Sequence, residues 1–358
     1  MINENRLIET FINLVRIDSP SREEAEIRRF IVRELNKHKI QAQVDELGNL
    51  YAFIEGEGDS ILFSGHMDTV EPGRSVKPKR IDGLIKSDGS TILGADNKAN
   101  ISAILEVIRI VKKNNLSHRP IEIVFSIQEE PGLIGIKRFD FSKVKSKYGI
   151  CFDKADKVGV IVAKAPYCVN IDGKIIGKAA HSGSEPENGI NALKVFINAV
   201  SKLNLGRNGN QTTTNIGLFS GGHVRNAVPE IIEFKAEIRS HSYEKLLREL
   251  HKWNRIFKNE SIKHKARYNQ KQDFAYKGYQ INKNSKIIKL LKNAYSELKI
   301  PISYVTSGGA SDANIFREHG IDVVDLGYGA KNPHTLRESI KVKDMLTTAK
   351  TMLTLVTN

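Results

Sequence analysis

The chain has 358 residues, of which 40% are hydrophobic and 27% are charged, and its formal net charge is +14. This length exceeds what one compact core usually holds and favours two domains, while the composition argues against disorder. No stretch approaches the roughly 18 consecutive apolar residues of a membrane-spanning helix, so we expect no membrane partner. The N-terminus lacks the pattern of a secretion signal, so the sequence predicts a cytoplasmic protein.

The positive charge raises the question of a nucleic-acid partner, because clustered Lys and Arg release phosphate counterions on binding. Here the basic residues are spread along the whole chain, and the densest stretch, residues 252–271, lacks the glycine and aromatic pattern of an RNA-binding sheet. We therefore expect no nucleic-acid partner. The only cysteines, Cys151 and Cys168, indicate neither a disulfide framework nor a cysteine metal cage.

The first part of the chain predicts an α/β domain. Helical apolar spacing over residues 5–15, and a capping box of Ser21 and Glu24, predict two helices, the second ending at Leu35. A helical pattern also covers residues 98–112, among four apolar runs of strand length: 50–54, 61–64, 121–127 and 148–152. This alternation indicates a sheet with helices on its faces.

From about residue 167 the predicted order becomes β-α-β-β-α-β, with strands over 169–177, 215–219, 231–238 and 267–275 and helices over 190–203 and 243–257. This order is the ferredoxin-like arrangement. The chain then returns to the first domain with helices over 286–298, 312–318 and 342–356 and strands over 302–306 and 323–326. We predict a first domain of residues 1–166 and 279–358 and an inserted domain of residues 167–278.

Acidic and histidine residues follow the predicted strands of the first domain, and Asp96 precedes a helix. The others are His66, Asp68, Glu129, Glu130, Asp153 and His334. Singly, such residues are usually solvated surface or helix caps. Because ligand sites of α/β sheets lie outside the carboxyl ends of the strands, their shared placement predicts one crevice.

The residue types in this crevice favour a metal site. Two imidazoles and several carboxylates suit zinc or a similar divalent ion, and one carboxylate can bridge two cations. The spacing of His66 and Asp68 puts both side chains on one side of an extended segment, so Asp68 can orient a metal-bound His66.

Eight motifs together resemble the M20 metallopeptidase family, and specifically its peptidase T-like tripeptidases. They are FSGHMDTV, TILGADNKAN, IQEEPGLIGIK, GKAAHSGSEPENGINAL, SGGHVRNAVPE, AEIRS, SGGASDAN and NPHTLRESI. The resemblance covers almost the whole chain and implies a zinc-peptidase-type α/β catalytic domain with a mixed sheet flanked by helices. It also implies an inserted ferredoxin-like (βαββαβ) lid, which usually forms the interface of a homodimer.

The resemblance further implies two Zn²⁺ per subunit, with Co²⁺ or Mn²⁺ as alternatives, and Asp96 as the bridging ligand. The implied ligands are His66, Asp96, Glu130, Asp153 and His334. Glu129 would be the general base, and Asp68 would hold His66.

In the lid, the resemblance makes His181 the residue that stabilises the oxyanion, typically in the active site of a partner subunit. Arg239 would grip a substrate carboxylate, and Asn226 would lie near the substrate. From the residues alone, a solvated loop histidine is the favoured interpretation of His181, and Arg239 could equally be a strand-edge arginine in a surface ion pair. Two positions depart from the family: Asn97 replaces a frequent second aspartate, and Asn100 replaces a common glycine.

We therefore predict hydrolysis of short peptides by metal-activated water, with release of the N-terminal residue of tripeptides. One alternative keeps the fold and metals but acts on N-acyl amino acids or C-terminal residues, since the same water attack serves any amide. Another is a non-catalytic metal- or nucleic-acid-binding protein, suggested by the charge and by Asn97.

Overall fold

The computed structural model describes all 358 residues and divides into two compact units. The first unit comprises Met1–Ala163, Gln280–Ser307 and Ser311–Asn358, and the second comprises Lys164–Tyr279 and Gly308–Ala310. None of the helices combines the length and the apolar character required to cross a bilayer.

The helices, in chain order, are α1 (Glu4–Val15), α2 (Ala25–Asn36), α3 (Ala95–Lys113), α4 (Ile134–Lys137), α5 (Ala192–Val200), α6 (Tyr243–Lys263), α7 (Lys286–Glu297), α8 (Asp312–Glu318) and α9 (Val342–Thr357). The strands are β1 (Ala42–Val44), β2 (Leu50–Ile54), β3 (Ile61–His66), β4 (Lys79–Ile81), β5 (Leu84–Lys86), β6 (Ile121–Ser126), β7 (Tyr148–Lys154), β8 (Val160–Ala165), β9 (Tyr167–Ile176), β10 (Gly206–Asn208), β11 (Thr212–Gly221), β12 (Ile231–Ser240), β13 (Arg267–Tyr276), β14 (Tyr279–Gln280), β15 (Ser303–Thr306), β16 (Asp322–Gly327) and β17 (Ser339–Lys341).

The main sheet of the first unit has the strand order β1-β2-β6-β3-β7-β16-β8-β14, with β15 beside β8. Strands β6, β3, β7 and β16 run parallel, whereas β2 and β8 are antiparallel to their neighbours. Every residue of β3 and β6 is buried, as expected for parallel strands covered on both faces. The predicted mixed sheet flanked by helices is confirmed, and its parallel strands present their carboxyl ends at one edge.

The second unit has a five-stranded antiparallel sheet of order β10-β11-β12-β9-β13. Its helices α5 and α6 pack on one face, around a core that includes Trp253, Phe257 and Phe234. The ring centroids of Phe234 and Phe257 lie 4.7 Å apart. Apart from the short extra strand β10, the order is the predicted β-α-β-β-α-β.

One local prediction was wrong. Ser21 and Glu24 form no capping box: α2 begins after Glu24, with no side-chain cap hydrogen bond. Instead, Ser21 Oγ donates to Asp68 Oδ2 at 2.6 Å, and Glu24 Oε1 accepts from the N–H of Gln128 at 3.0 Å. The local pattern failed because these partners are 47 and 104 residues away along the chain.

Candidate metal centre and active site

The carboxyl ends of the parallel strands position most of the predicted site residues. His66 is the last residue of β3, Asp153 is the next-to-last residue of β7, and Glu129 follows β6. Asp96 stands at the start of α3 with non-helical angles (φ −81°, ψ 104°), so its side chain departs from the helical direction. His334 lies in the loop after β16, where its φ is +59°.

His66 is buried and its two ring nitrogens face different partners. Nδ1 lies 2.9 Å from the backbone oxygen of Asp68, which can only accept a hydrogen bond, so Nδ1 carries the proton. Nε2 lies 3.2 Å from Asp96 Oδ1 and 3.3 Å from Asp153 Oδ1. The ring nitrogen that remains available as a ligand therefore points at two carboxylate oxygens.

His334 faces the other oxygen of the same aspartate. Its Nε2 lies 3.5 Å from Asp96 Oδ2 and 2.9 Å from Glu130 Oε1. The structure thus forms two groups, His66–Asp96–Asp153 and Asp96–Glu130–His334, in each of which the candidate ligand atoms lie within 4.8 Å of one another. Converging imidazole nitrogens and carboxylate oxygens fit two divalent cations, with Asp96 shared between them.

Glu129 belongs to a third such group, with His66 and Glu130. It is only 8% exposed, and burial, reinforced by the charge of Asp153, raises its pKa well above the ordinary value. Such a carboxyl group exchanges a proton more readily near neutral pH than an exposed glutamate does.

Asp68 anchors the segment that carries Glu129 and Glu130. Its buried carboxylate accepts the backbone N–H groups of Glu129 at 2.9 Å and Glu130 at 3.2 Å. The carboxylate also approaches Nδ1 of His66 at 3.4 Å, which is farther than the backbone oxygen of Asp68. Asp68 therefore orients both the predicted ligand His66 and the two glutamates.

The close imidazole–carboxylate pairs of the centre shift the pKa values of their members. Burial raises the pKa of Asp96, but hydrogen bonds from His334 and His66 outweigh it and hold that pKa below the ordinary value. Asp96 and Glu130 in turn raise the pKa of His334 to about 10. Each carboxylate and imidazole of the centre therefore favours the charged form of its partner.

Three buried carboxylates behind the ligands are absent from the sequence-based prediction. Asp325 accepts the N–H of Asp153 at 3.1 Å, Glu338 accepts the N–H of Asp96 at 3.1 Å, and Asp312 accepts the hydroxyl of Ser126 at 2.5 Å. Burial raises the pKa of Asp312 and that of Glu338 to about 7. In the sequence, Asp325 stands out as an acid within the apolar run VVDLG. Asp312 and Glu338 lie within the motifs SGGASDAN and NPHTLRESI.

Asn97 and Asn100, the two residues that depart from the family pattern, are hydrogen-bonded to each other. Asn97 Nδ2 donates to the carbonyl of Phe152 at 2.8 Å and to Asp153 Oδ1 at 2.7 Å. Asn100 Nδ2 donates to Asn97 Oδ1 and to the carbonyl of Ser64, each at 2.8 Å. Asn97 is therefore a donor to a candidate ligand, a role that an ionised aspartate cannot fill.

The predicted lid residues lie in the second unit. His181 is exposed, and its Nδ1 accepts the N–H groups of Gly183 at 3.2 Å and Ser184 at 3.0 Å, which leaves the proton of the neutral ring on Nε2. Asn226 is also exposed, and its backbone carbonyl accepts the N–H of Ser182 at 3.0 Å. Both residues thus belong to one turn region.

Arg239 lies on β12 of the second unit, and Nη2 donates to Glu237 at 2.8 Å. Its Nη1 lies 3.5 Å from the carbonyl of Gly308, at the limit of a hydrogen bond. Its Nε is buried without a hydrogen-bond partner, so this guanidinium retains donor capacity.

Comparison with known proteins shows the family. Residues 62–358 match the model of peptidase family M20/M25/M40. The chain belongs to this family, and the M20 resemblance is confirmed. Solved structures of aminopeptidase PepT from Bacillus cereus ATCC 10987 (35% identity, TM-score 0.89, 99% of this chain and 98% of that chain) and of a tripeptidase from Staphylococcus aureus subsp. aureus mu50 (33% identity, TM-score 0.94, 100% and 98%) are similar throughout.

Among curated proteins, the uncharacterized protein YqjE of Bacillus subtilis (strain 168) is 37% identical, over 99% of both chains. Peptidase T of Escherichia coli O1:K1 / APEC is more distant, at 25% identity over 55% of this chain and 58% of that protein.

Proposed function

We propose that the protein is a metallo-aminopeptidase that hydrolyses short peptides and releases the N-terminal residue of tripeptides. The main support for this proposal is the placement of Asp96 between His66 and His334, with the buried Glu129 beside His66. The similarity to an aminopeptidase and a tripeptidase over almost the whole chain supports a peptide substrate.

The cofactor that we propose is a pair of divalent cations, Zn²⁺ with Co²⁺ or Mn²⁺ as alternatives. His66, Asp96 and Asp153 would hold one cation, and Asp96, Glu130 and His334 the other. Bound there, the cations would supply Lewis acidity that polarises the scissile carbonyl and acidifies the attacking water.

Glu129 is the proposed general base. It accepts the proton of the attacking water and later delivers it to the leaving amine, so the same carboxyl group serves both half-steps. Burial, which raises its pKa, stabilises the protonated form that the second step requires. The hydrogen bonds that the backbone N–H groups of Glu129 and Glu130 donate to the Asp68 carboxylate fix the position of this group.

For the second unit we propose the roles of a lid and a dimer surface, over residues 167–278. His181 would donate from Nε2 to the developing oxyanion in the site of a partner subunit, which agrees with the tautomer that its turn imposes. Arg239 would bind the substrate carboxylate, which agrees with the long 3.5 Å contact of its Nη1 with the Gly308 carbonyl, and Asn226 would contact the substrate. We place the enzyme in the cytoplasm, without a nucleic-acid or membrane partner.

The test is hydrolysis of matched tripeptides by protein stripped of metal and reloaded with zinc, manganese or cobalt. A free tripeptide, its N-acetylated form and its C-terminal amide are compared, and the released residue is identified. We expect release of the N-terminal residue from the free peptide and loss of turnover on N-acetylation. Preferred cleavage of the N-acetylated peptide would contradict the aminopeptidase assignment and favour an acylase or carboxypeptidase.

A further inference from the structure

The connection between α1 and α2, residues 16–24, is hydrogen-bonded to three of the segments that carry residues of the candidate metal centre. The carbonyl of Ile17 accepts Lys98 Nζ at 2.8 Å, beside Asp96 and Asn97. The carbonyl of Ser19 accepts the N–H of Thr69 at 2.9 Å, next to Asp68. Glu24 accepts the N–H of Gln128 at 3.0 Å, next to Glu129. The connection is therefore part of the scaffold of the site.

Ser21 makes the contact closest to the chemistry. Its Oγ donates to Asp68 Oδ2 at 2.6 Å, the same oxygen that accepts the N–H of Glu130, while Oδ1 accepts the N–H of Glu129. The carboxylate of Asp68 is fully buried, so no bulk water replaces a lost donor. The hydroxyl consequently fixes the rotation of the carboxylate that holds both glutamates.

We propose that Ser21 is a positioning residue, which acts through Asp68 to set the backbone of the general base Glu129 and of the metal ligand Glu130. This inference rests on the proposed function for those two roles. Ser21 touches neither glutamate side chain directly, so its effect is on geometry rather than on proton transfer. Groups that orient metal ligands typically change metal affinity or activity by about 10-fold to 100-fold when they are removed.

The variant that tests this role is Ser21→Ala, compared with Ser21→Thr, which keeps a hydroxyl. Ser90→Ala is the matched control, because Ser90 Oγ also donates to an aspartate, Asp88, at 2.5 Å, but on the exposed surface. Three experiments are made: steady-state kinetics with a free tripeptide for kcat and KM, zinc affinity by competition with a chelator, and amide hydrogen exchange over residues 127–133 in metal-free protein.

For Ser21→Ala we expect kcat to fall about 10-fold or more with KM unchanged, zinc affinity to fall about 10-fold, and the amides of Glu129 and Glu130 to exchange faster. Ser21→Thr should recover most of each loss, and Ser90→Ala should match the wild type. Wild-type zinc affinity and exchange in Ser21→Ala would overturn the proposal. Exchange and affinity need no turnover, so they decide this point even if the wild type cleaves no peptide.

Discussion

Asp96 belongs to both candidate ligand groups, so variants of Asp96 and His334 should differ in the number of cations that they bind. His334→Ala removes a donor from one group only and leaves His66, Asp96 and Asp153 intact. Asp96→Ala removes a donor from both groups and leaves each with two protein ligands, fewer than the three of a usual catalytic zinc site. We expect two zinc ions per chain in the wild type, one in His334→Ala and none retained tightly in Asp96→Ala.

The number of bound zinc ions also determines how much zinc stabilises the folded protein. Free zinc at 100 times the dissociation constant stabilises the folded state by about 2.7 kcal/mol for each site. For a unit of this size, 1 kcal/mol changes the melting temperature by about 2–4 °C, so each occupied site adds about 5–11 °C. Zinc should therefore raise the melting temperature of the wild type about twice as much as that of His334→Ala.

The assay combines elemental analysis of dialysed protein with thermal unfolding in buffered zinc. His251→Ala, which removes an exposed histidine of α6, is the control and should behave as the wild type. Two zinc ions in His334→Ala, or equal zinc content in His334→Ala and Asp96→Ala, would refute the bridging arrangement.

Three further variants probe single residues. His181→Ala should lower kcat by roughly 100-fold to 1,000-fold with little change in KM, since the proposed oxyanion donor is lost; a change confined to KM in steady-state kinetics would contradict this. Arg239→Ala should raise KM for free tripeptides, because a charge-assisted hydrogen bond is worth about 1.5–3 kcal/mol, and an equal effect on C-terminal amides would speak against carboxylate binding. Asn97→Asp should destabilise the metal-free protein by about 1–3 kcal/mol, because the new carboxylate would face the Phe152 carbonyl and the Asp153 carboxylate; an unchanged melting temperature would contradict it.

The sequence predicts most elements because their apolar periodicity is strong. The second and third strands, the first helix and the alternating order of the inserted unit are examples of this, with boundaries within a few residues of those in the structure. The helix predicted over 243–257 continues to Lys263, because its last turns bury Glu260 and Ser261, polar residues that interrupt the apolar pattern.

The supporting hydrogen bonds of the centre could not be predicted in the same way. The distance along the chain between Glu338 and Asp96 is 242 residues, and Ser21 carries a local pattern that equally describes a helix cap. Periodicity reports which face of an element is buried, not which distant side chain meets it. The family resemblance implies the candidate ligands, whereas the hydrogen bond between Asn97 and Asn100 is evident only from the structure.

Glu129→Gln is the decisive variant for the proposal that Glu129 is the general base of a two-metal peptidase. Its kcat on a free tripeptide, after zinc reloading, is compared with that of the wild type and of Glu46→Gln, which alters an exposed glutamate. We predict that Glu129→Gln retains two zinc ions while kcat falls by about 100-fold to 10,000-fold, and that Glu46→Gln is unaffected. Wild-type turnover by zinc-loaded Glu129→Gln would contradict the account.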